Sequence, residues 1–370
     1  MAIHWLLVMM ALVAGAQGWV YARLGQRRLD YTRSFSEVRC FAGDRIAMVE
    51  RIANRKLLPL PWLRVESLLH AGLRFEHESN LDISSGEYMQ NHKSFFSMMP
   101  YTQITRTHHV TCTKRGIYTV QGVSLTCGDA LGMNRTTRRV ALDARLTVYP
   151  LPLLPDELAL PSQSWQGDLV VQRWIVEDPF MTSGVRAYRP GDSLKSVNWK
   201  ATARTGGLQV HQHDTTADHR LMIVLNIEDH ERMWNVVNDV ERAELGISYA
   251  AGLAEYAVRH GMEAGFATNA RASRSAGAGV RVGPSAGDAH LSGLYETMAH
   301  LEVQAAEPFA DLLAAEAEQS DGRLDYCVLT AYVNEGMQAR LDELSRRGHG
   351  VRVLRLPPTE RESGKGGVRR

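Results

Sequence analysis

The chain has 370 residues, 44% hydrophobic and 22% charged, with 31 glycines and 13 prolines, which excludes a wholly disordered, collagen-like or disulfide-scaffold protein and suggests two folded units. Lys and Arg number 42 against 41 Asp and Glu, a formal charge of +1, so a strongly basic nucleic-acid binder is not indicated globally. Cys40, Cys112, Cys127 and Cys327 are widely spaced, with no CxxC pair and no zinc-ligand cluster, a pattern that fits a reducing compartment.

From Trp5 to Ala22 the chain reads WLLVMMALVAGAQGWVYA, without a formal charge and with Gln17 as its one strongly polar side chain. Counted from Ile3, this is enough helix to cross a hydrocarbon core, which takes roughly 20 residues. Trp5 at one end and Trp19 and Tyr21 at the other suit an interfacial aromatic belt, and Arg23, Arg27, Arg28 and Arg33 follow, which by the positive-inside rule puts the rest of the chain in the cytoplasm. A signal peptide cut at Ala14-Gly15-Ala16 is the competing reading. It lacks a basic n-region and has arginines soon after the cut, so a single-pass anchor over 1–22 is expected.

Residues 23–150 read as a β-rich, sandwich-like domain. Arg45–Ile52 and Trp62–Glu66 alternate with period two, Ala42-Gly43-Asp44 and Lys114-Arg115-Gly116 are turn signals, and Ile117–Val120 and Val123–Thr126 are strand candidates,. Asn54 to Pro61 reads as a loop, and residues 76–100 have weak periodicity that places no element. Pro150, Pro152, Pro155 and Pro161 mark an extended connector, and 151–215 is set apart as a polar, motif-bearing stretch,.

Over 216–357 strands and helices alternate. Leu221–Leu225 and Tyr326–Leu329 are continuous apolar runs, as expected of strands buried on both faces,. Residues 238–259 have helical spacing closed by Gly261, further helices are predicted at 288–303, 308–318 and 334–347, and Val351–Leu354 is a last strand,. Such alternation predicts an α/β domain with a parallel, doubly wound sheet. The polar residues 358–370 read as a disordered tail.

The densest run of special residues lies at 186–206. Pro190-Gly191-Asp192 is a tight turn, Asp192 or Ser193 suits a helix cap, and Arg186, Arg189, Lys195, Lys200 and Arg204 surround Trp199 with cations,. The tract resembles the family known as domain of unknown function 58, whose pattern R-x-Y-x-P-G-D followed by D/N-W-K-x-x-A-R is met by Arg186, Tyr188, Pro190, Gly191, Asp192, Asn198, Trp199, Lys200, Ala203 and Arg204. Glu241-Arg242, Thr268-Asn269, Arg115–Tyr118 and Gly128–Gly132 resemble further positions of that family. The resemblance implies a bacterial, membrane-anchored protein with a von Willebrand factor A-like C-terminal domain that works with a MoxR-type AAA ATPase.

A domain of that type carries a metal site of the form D-x-S-x-S after its first strand. Here the equivalent positions are Asn226, Glu228 and His230, none of them matching, so no metal is expected and the loop reads as a solvated strand-to-helix connection. His211 and His213 share a face of a strand without a completing ligand,. Gly277-Ala278-Gly279 lacks the third glycine of a dinucleotide fingerprint, and there is neither a G-x-S-x-G elbow nor a P-loop,, so no cofactor is expected. Cys327 reads as a buried core residue.

Arg186, Tyr188, Arg189, Pro190, Gly191, Asp192, Asn198, Trp199, Lys200 and Arg204 therefore form either a site for an acidic partner or anion, or a clamp between domains,. Both stay open. The expected function is a non-enzymatic adaptor at the bacterial inner membrane. The alternatives are a hydrolase or transferase using Asp192, Asn198 and Lys200 in an open cleft, and a module that binds an envelope component.

Overall fold

The computed structural model describes residues 2–75, 81–86, 89–153, 182–187, 199–213, 220–231, 233–273, 279–319 and 322–359. The chain divides near Leu151 into two compact units.

The first unit opens with helix α1 (Ala2–Leu24), and Ile3–Leu24 is long and apolar enough to cross a membrane. Ten strands follow: β1 (Leu29–Phe35), β2 (Arg39–Phe41), β3 (Arg45–Asn54), β4 (Leu60–His70), β5 (Leu73–Phe75), β6 (Leu81–Ser85), β7 (Met89–Met98), β8 (Gln103–Cys112), β9 (Gly116–Gly128) and β10 (Arg135–Tyr149). They form a four-stranded sheet, β1-β3-β8-β5, and a six-stranded sheet, β2-β10-β9-β4-β7-β6. Strand pairs are antiparallel except β2 with β10. Alternate residues of both sheets point inward and meet in two apolar clusters: Ile46, Met48, Leu69, Val110 and Leu146 in one, Leu29, Ile52, Leu63, Val65 and Leu125 in the other,.

This interior also holds charge. Glu50, 1% exposed, accepts hydrogen bonds from Tyr31 Oη at 2.6 Å and Arg33 Nη2 at 3.0 Å, and His108 Nε2 lies 3.4 Å from its other oxygen. Arg33 Nη1 also donates to Ser67 Oγ at 2.7 Å. Burial raises the Glu50 carboxyl, but the His108 hydrogen bond, the Arg33 charge and the Tyr31 hydroxyl outweigh it and hold the group at about 2,.

The second unit contains β11 (Thr182–Ala187), α2 (Trp199–Thr205), β12 (Gln209–His213), β13 (Arg220–Leu225), α3 (Val240–Arg259), β14 (Glu263–Thr268), β15 (Ala270–Ala272), β16 (Val280–Ser285), α4 (Asp288–Ala299), β17 (Leu301–Ala305), α5 (Phe309–Gln319), β18 (Asp325–Thr330), α6 (Glu335–Arg346) and β19 (Gly350–Arg355). Its main sheet has the order β16-β14-β13-β18-β19, and β11–β12 and β15–β17 are separate two-stranded ribbons. Met222, Val224, Tyr326 and Val328 pack with Phe309, Leu312 and Leu313 of α5 and Met337, Leu341 and Leu344 of α6. Helix α3 packs against β13 and β14 and is capped by Asp239, whose side chain accepts from Arg242 N,. Gly252 is required within α3, because a Cβ there would strike the backbone carbonyl of Leu153.

The expected fold class does not stand. The described residues hold more strand than helix, 43% against 29%, and the C-terminal unit is neither the parallel, doubly wound domain that the alternation suggested nor the von Willebrand factor A-like domain that the resemblance implied. The sheet is mixed, since β16 pairs antiparallel with β14. Among the described residues no crossover helix separates those two strands in sequence, and a strand that returns without a crossover pairs antiparallel. The helix expected over 288–303 ends at Ala299, and Leu301–Ala305 instead forms β17, paired with β15. The stretch Asn54–Pro61 is only partly loop, because β4 begins at Leu60. Residues 76–100, where periodicity placed nothing, contain β6 and β7.

Candidate functional site

Of the cationic tract, Tyr188, Arg189, Pro190, Gly191, Asp192 and Asn198 lie outside the described residues, so a cleft joining Asp192 and Asn198 to Lys200 has no described geometry. Arg186 is in β11, paired with Val210 of β12. Trp199, Lys200 and Arg204 are in α2. Gly206 (φ +73) ends this helix, its N–H reaching the Thr202 carbonyl at 3.0 Å, and Thr202 Oγ1 accepts from Gln209 N at 2.9 Å as the chain enters β12,. That turn fixes how α2 sits on the ribbon. Trp199 is 68% exposed, and Lys200 and Arg204, both exposed, stand one helical turn apart on the same face,. The result is a compact cationic face beside a bare indole.

A second constellation closes the carboxyl edge of the main sheet, where ligands bind in many open α/β sheets. Asn226 and Glu228, 1% and 3% exposed, follow β13, while His230 is exposed and only its backbone takes part. Glu228 Oε1 accepts from Phe309 N at 2.6 Å and Asn269 Nδ2 at 3.1 Å, and Oε2 accepts from Tyr332 Oη at 2.9 Å. Tyr332 Oη lies 3.1 Å from the His230 carbonyl. Asn226 Nδ2 donates to Thr330 Oγ1 at 3.0 Å, and its Oδ1 accepts from Glu228 N at 3.0 Å. Asn269 Oδ1 accepts from Ile227 N at 3.1 Å.

Burial pushes the Glu228 carboxyl above its usual range, against hydrogen bonds from Phe309 N, Tyr332 and Asn269. Burial and the adjoining Glu228 push the Tyr332 phenol up as well. Among the described residues no three His, Cys, Asp or Glu side chains group as metal ligands. The Glu228 oxygens are spent on the first turn of α5, on Asn269 and on Tyr332, so the loop joins four chain segments instead of presenting a carboxylate outward.

Asn269, one of the family-like positions, thus ties β14 to β13. Arg242, another, pairs with Asp239 at 3.3 Å and donates to the Pro357 carbonyl at 3.2 Å, while Thr359 Oγ1 donates to Asp239 at 2.7 Å. These two hold the end of the described chain against the start of α3. Thr330 and Tyr332 were not legible as members of the knot, since Tyr332 reaches Glu228 across 104 residues of sequence. Cys327, in β18, is 3% exposed, and burial pushes its thiol up to about 12,. All four cysteines are free thiols and buried.

Comparison with known proteins gives the same region weight. The chain is 21% identical over 315 residues to the uncharacterized protein YeaD of Bacillus subtilis, covering 84% of this chain and 72% of that one. Solved structures with a local likeness include a non-cellulosomal cohesin from Archaeoglobus fulgidus (12% identity, 37% of this chain and 96% of that one, TM-score 0.23). Another is native alpha-2-macroglobulin from Escherichia coli (15% identity, 33% of this chain and 23% of that one, TM-score 0.25). Likenesses this slight carry nothing about activity. The model of the family described as protein of unknown function DUF58 matches residues 184–364, a span that contains both the exposed face of α2 and the knot at the sheet's carboxyl edge.

Proposed function

We propose that the protein is a membrane-anchored scaffold. In this reading α1 crosses the bacterial inner membrane once, both units lie on its cytoplasmic side, and the cationic tract binds an acidic surface on a protein partner. The resemblance noted for the tract makes a MoxR-type AAA ATPase the first partner to test. The observation that carries the reading is the exposure of Trp199 beside Lys200 and Arg204 on a short, well-terminated helix. Indole and guanidinium groups are the side chains that most often dominate binding energy when a partner covers them.

The test is a pull-down of the ATPase from the same bacterium by the full chain in detergent. Trp199→Ala and the double reversal Lys200→Glu/Arg204→Glu are each expected to weaken capture by roughly tenfold or more, a loss of at least ~1.4 kcal/mol. Capture unchanged by both variants would overturn the role of the tract. Alkaline phosphatase activity from a C-terminal fusion, which requires export, would overturn the cytoplasmic placement.

A further inference from the structure

We infer that the end of the β unit from which α1 emerges is a docking surface for an anionic phospholipid bilayer, its loops dipping into the headgroup layer around the helix. The inference rests on the membrane-anchor reading and extends it from a tether to a seated module.

The first ground is how α1 leaves the sheets. Its last turns do not stand free: Ala14, Gln17, Gly18, Val20 and Tyr21 are partly or fully buried, and a Cβ on Gly18 would strike Asn134 in the turn between β9 and β10. Beyond the helix, Lys56 Nζ donates to the carbonyls of Gly25 at 2.7 Å and Arg27 at 2.9 Å, Gln26 Nε2 donates to Leu125 and Thr136 carbonyls, and an Arg138 guanidinium N–H reaches the Leu29 carbonyl. The helix is therefore clamped to this end of the sheets and not joined by a loose linker.

The second ground is length. Only residues 2–13 of α1 project clear of the β unit, about 18 Å of helix at 1.5 Å per residue, against a hydrocarbon core of about 30 Å. A helix so clamped spans the core only if the turn beside Gly18 enters the membrane surface with it. Gly18 lies about 24 Å along the helix from Ala2, so the turn packed on it falls about 6 Å inside a core of about 30 Å, within the roughly 5–10 Å to which interfacial elements sink.

The third ground is what this end presents. The turn 129–134 exposes Leu131 (58%) and Met133 (74%), the loop between β3 and β4 exposes Leu57 (74%), and the β7–β8 turn exposes Met99 (67%) and Tyr101 (68%). Hydrogen bonds from Asn54 Nδ2 to the Leu58 and Met99 carbonyls, and from Tyr101 N to the Lys56 carbonyl, tie the last two loops together beside the helix exit. Exposed Arg23, Arg27, Arg28 and Arg135 lie around these tips. Among the described acids at this end, Asp30 is paired with Arg55 at 2.9 Å and Asp129 is fully buried. Large apolar tips ringed by cations, around an apolar helix, match an interface of acyl chains below and anionic phosphates above.

The test uses the full chain in phosphatidylcholine vesicles, with and without phosphatidylglycerol, that carry a headgroup-level nitroxide lipid. Because the native cysteines are buried, a fluorophore attaches selectively at Leu57→Cys, Leu131→Cys or Met133→Cys, at Val8→Cys in α1, or at Val38→Cys in the exposed connection between β1 and β2. Docking is expected to quench most of the emission at 57, 131 and 133, more strongly with phosphatidylglycerol, and to leave 38 bright. Quenching at 8 by an acyl-chain nitroxide with 57, 131 and 133 bright would keep the anchor and overturn the docking surface. A bright label at 8 would overturn the anchor itself. Equal quenching in both vesicle types would overturn the preference for anionic lipid.

Discussion

Glu50 in the first unit and Glu228 in the second are both deeply buried carboxylates, and the two are stabilised in opposite ways. Glu50, between the sheets of the first unit, faces Arg33 and His108 and is held as an anion at about 2. Glu228, at the sheet edge of the second, faces a backbone N–H, an amide and a phenol, and burial raises its carboxyl. The first is a charge made tolerable by countercharge. The second is a hub whose value lies in the donors it satisfies. Where a countercharge is present, removing one partner strands the other, whereas a hub whose partners are uncharged loses only its hydrogen bonds.

The largest expected effect follows directly. Glu50→Ala leaves the Arg33 guanidinium buried without its counterion, and should destabilise the first unit by about 3–5 kcal/mol. Replacing both members, Arg33→Met with Glu50→Leu, should recover most of that loss. Thermal unfolding of the full chain in detergent, with each unit followed by hydrogen exchange, measures both. Equal losses in the single and double variants would show that the pair is not the unit of stability.

Acid should separate the two regions next. His92, 3% exposed and edge-on to Phe75, is pushed down to about 4 by burial and by the Arg33 and His108 charges. From pH 6.5 down to about 4 the unfolded chain takes up this proton and the folded one does not, so the first unit loses stability as pH falls, on the order of 3 kcal/mol in all. Glu228 has the opposite sign. Its folded carboxyl keeps a proton above pH 4.5, where the unfolded one has lost it, so its contribution declines as pH rises through that range. Exchange protection followed across pH 4.5–6.5, corrected for intrinsic rates, should therefore rise with pH in β7 and fall in the Glu228 loop. Parallel slopes would refute the comparison.

Part of this architecture is legible in the sequence. The apolar span, the alternating strands at Arg45–Ile52 and Trp62–Glu66, and the buried runs at Leu221–Leu225 and Tyr326–Leu329 each follow from periodicity,. Strand β7 was hidden because its inward positions are Gln90, His92 and Ser94, so a hydrophobic alternation does not exist there to be found. Strand β17 was hidden because Leu301–Ala305 continues the apolar spacing of α4, and its pairing with β15 is a long-range choice. The Glu228 knot was illegible for a related reason: a carboxylate just after a strand looks like a failed metal ligand until Tyr332 and Phe309 are seen to meet it. The cationic tract, by contrast, announced itself in sequence, and the exposed face of α2 is the part of it that the fold makes concrete.

Between the larger and the smallest effects stands the knot itself. Glu228→Ala strands Phe309 N, Asn269 Nδ2 and the Tyr332 hydroxyl, and should destabilise the second unit by about 1–3 kcal/mol. Glu228→Gln, which keeps an acceptor for Phe309, should lose less and should abolish the decline with rising pH. A Gln variant as damaging as Ala would mean that the negative charge at the start of α5, and not its hydrogen bonds, is what the sheet edge requires.

The smallest effect tests whether α2 belongs to either kind of interior. Lys200 and Arg204 are exposed and i, i+4 on a seven-residue helix, so like charge repels there by a few tenths of a kcal/mol. Lys200→Ala and Arg204→Ala should leave stability within about 0.5 kcal/mol of the parent, or raise it slightly. A surface that tolerates its own cations at a small standing cost, while the buried Arg33 demands a counterion, is one whose charges act outward. A loss above about 1 kcal/mol on either substitution would place these side chains in a structural contact and remove the ground for reading α2 as a binding face.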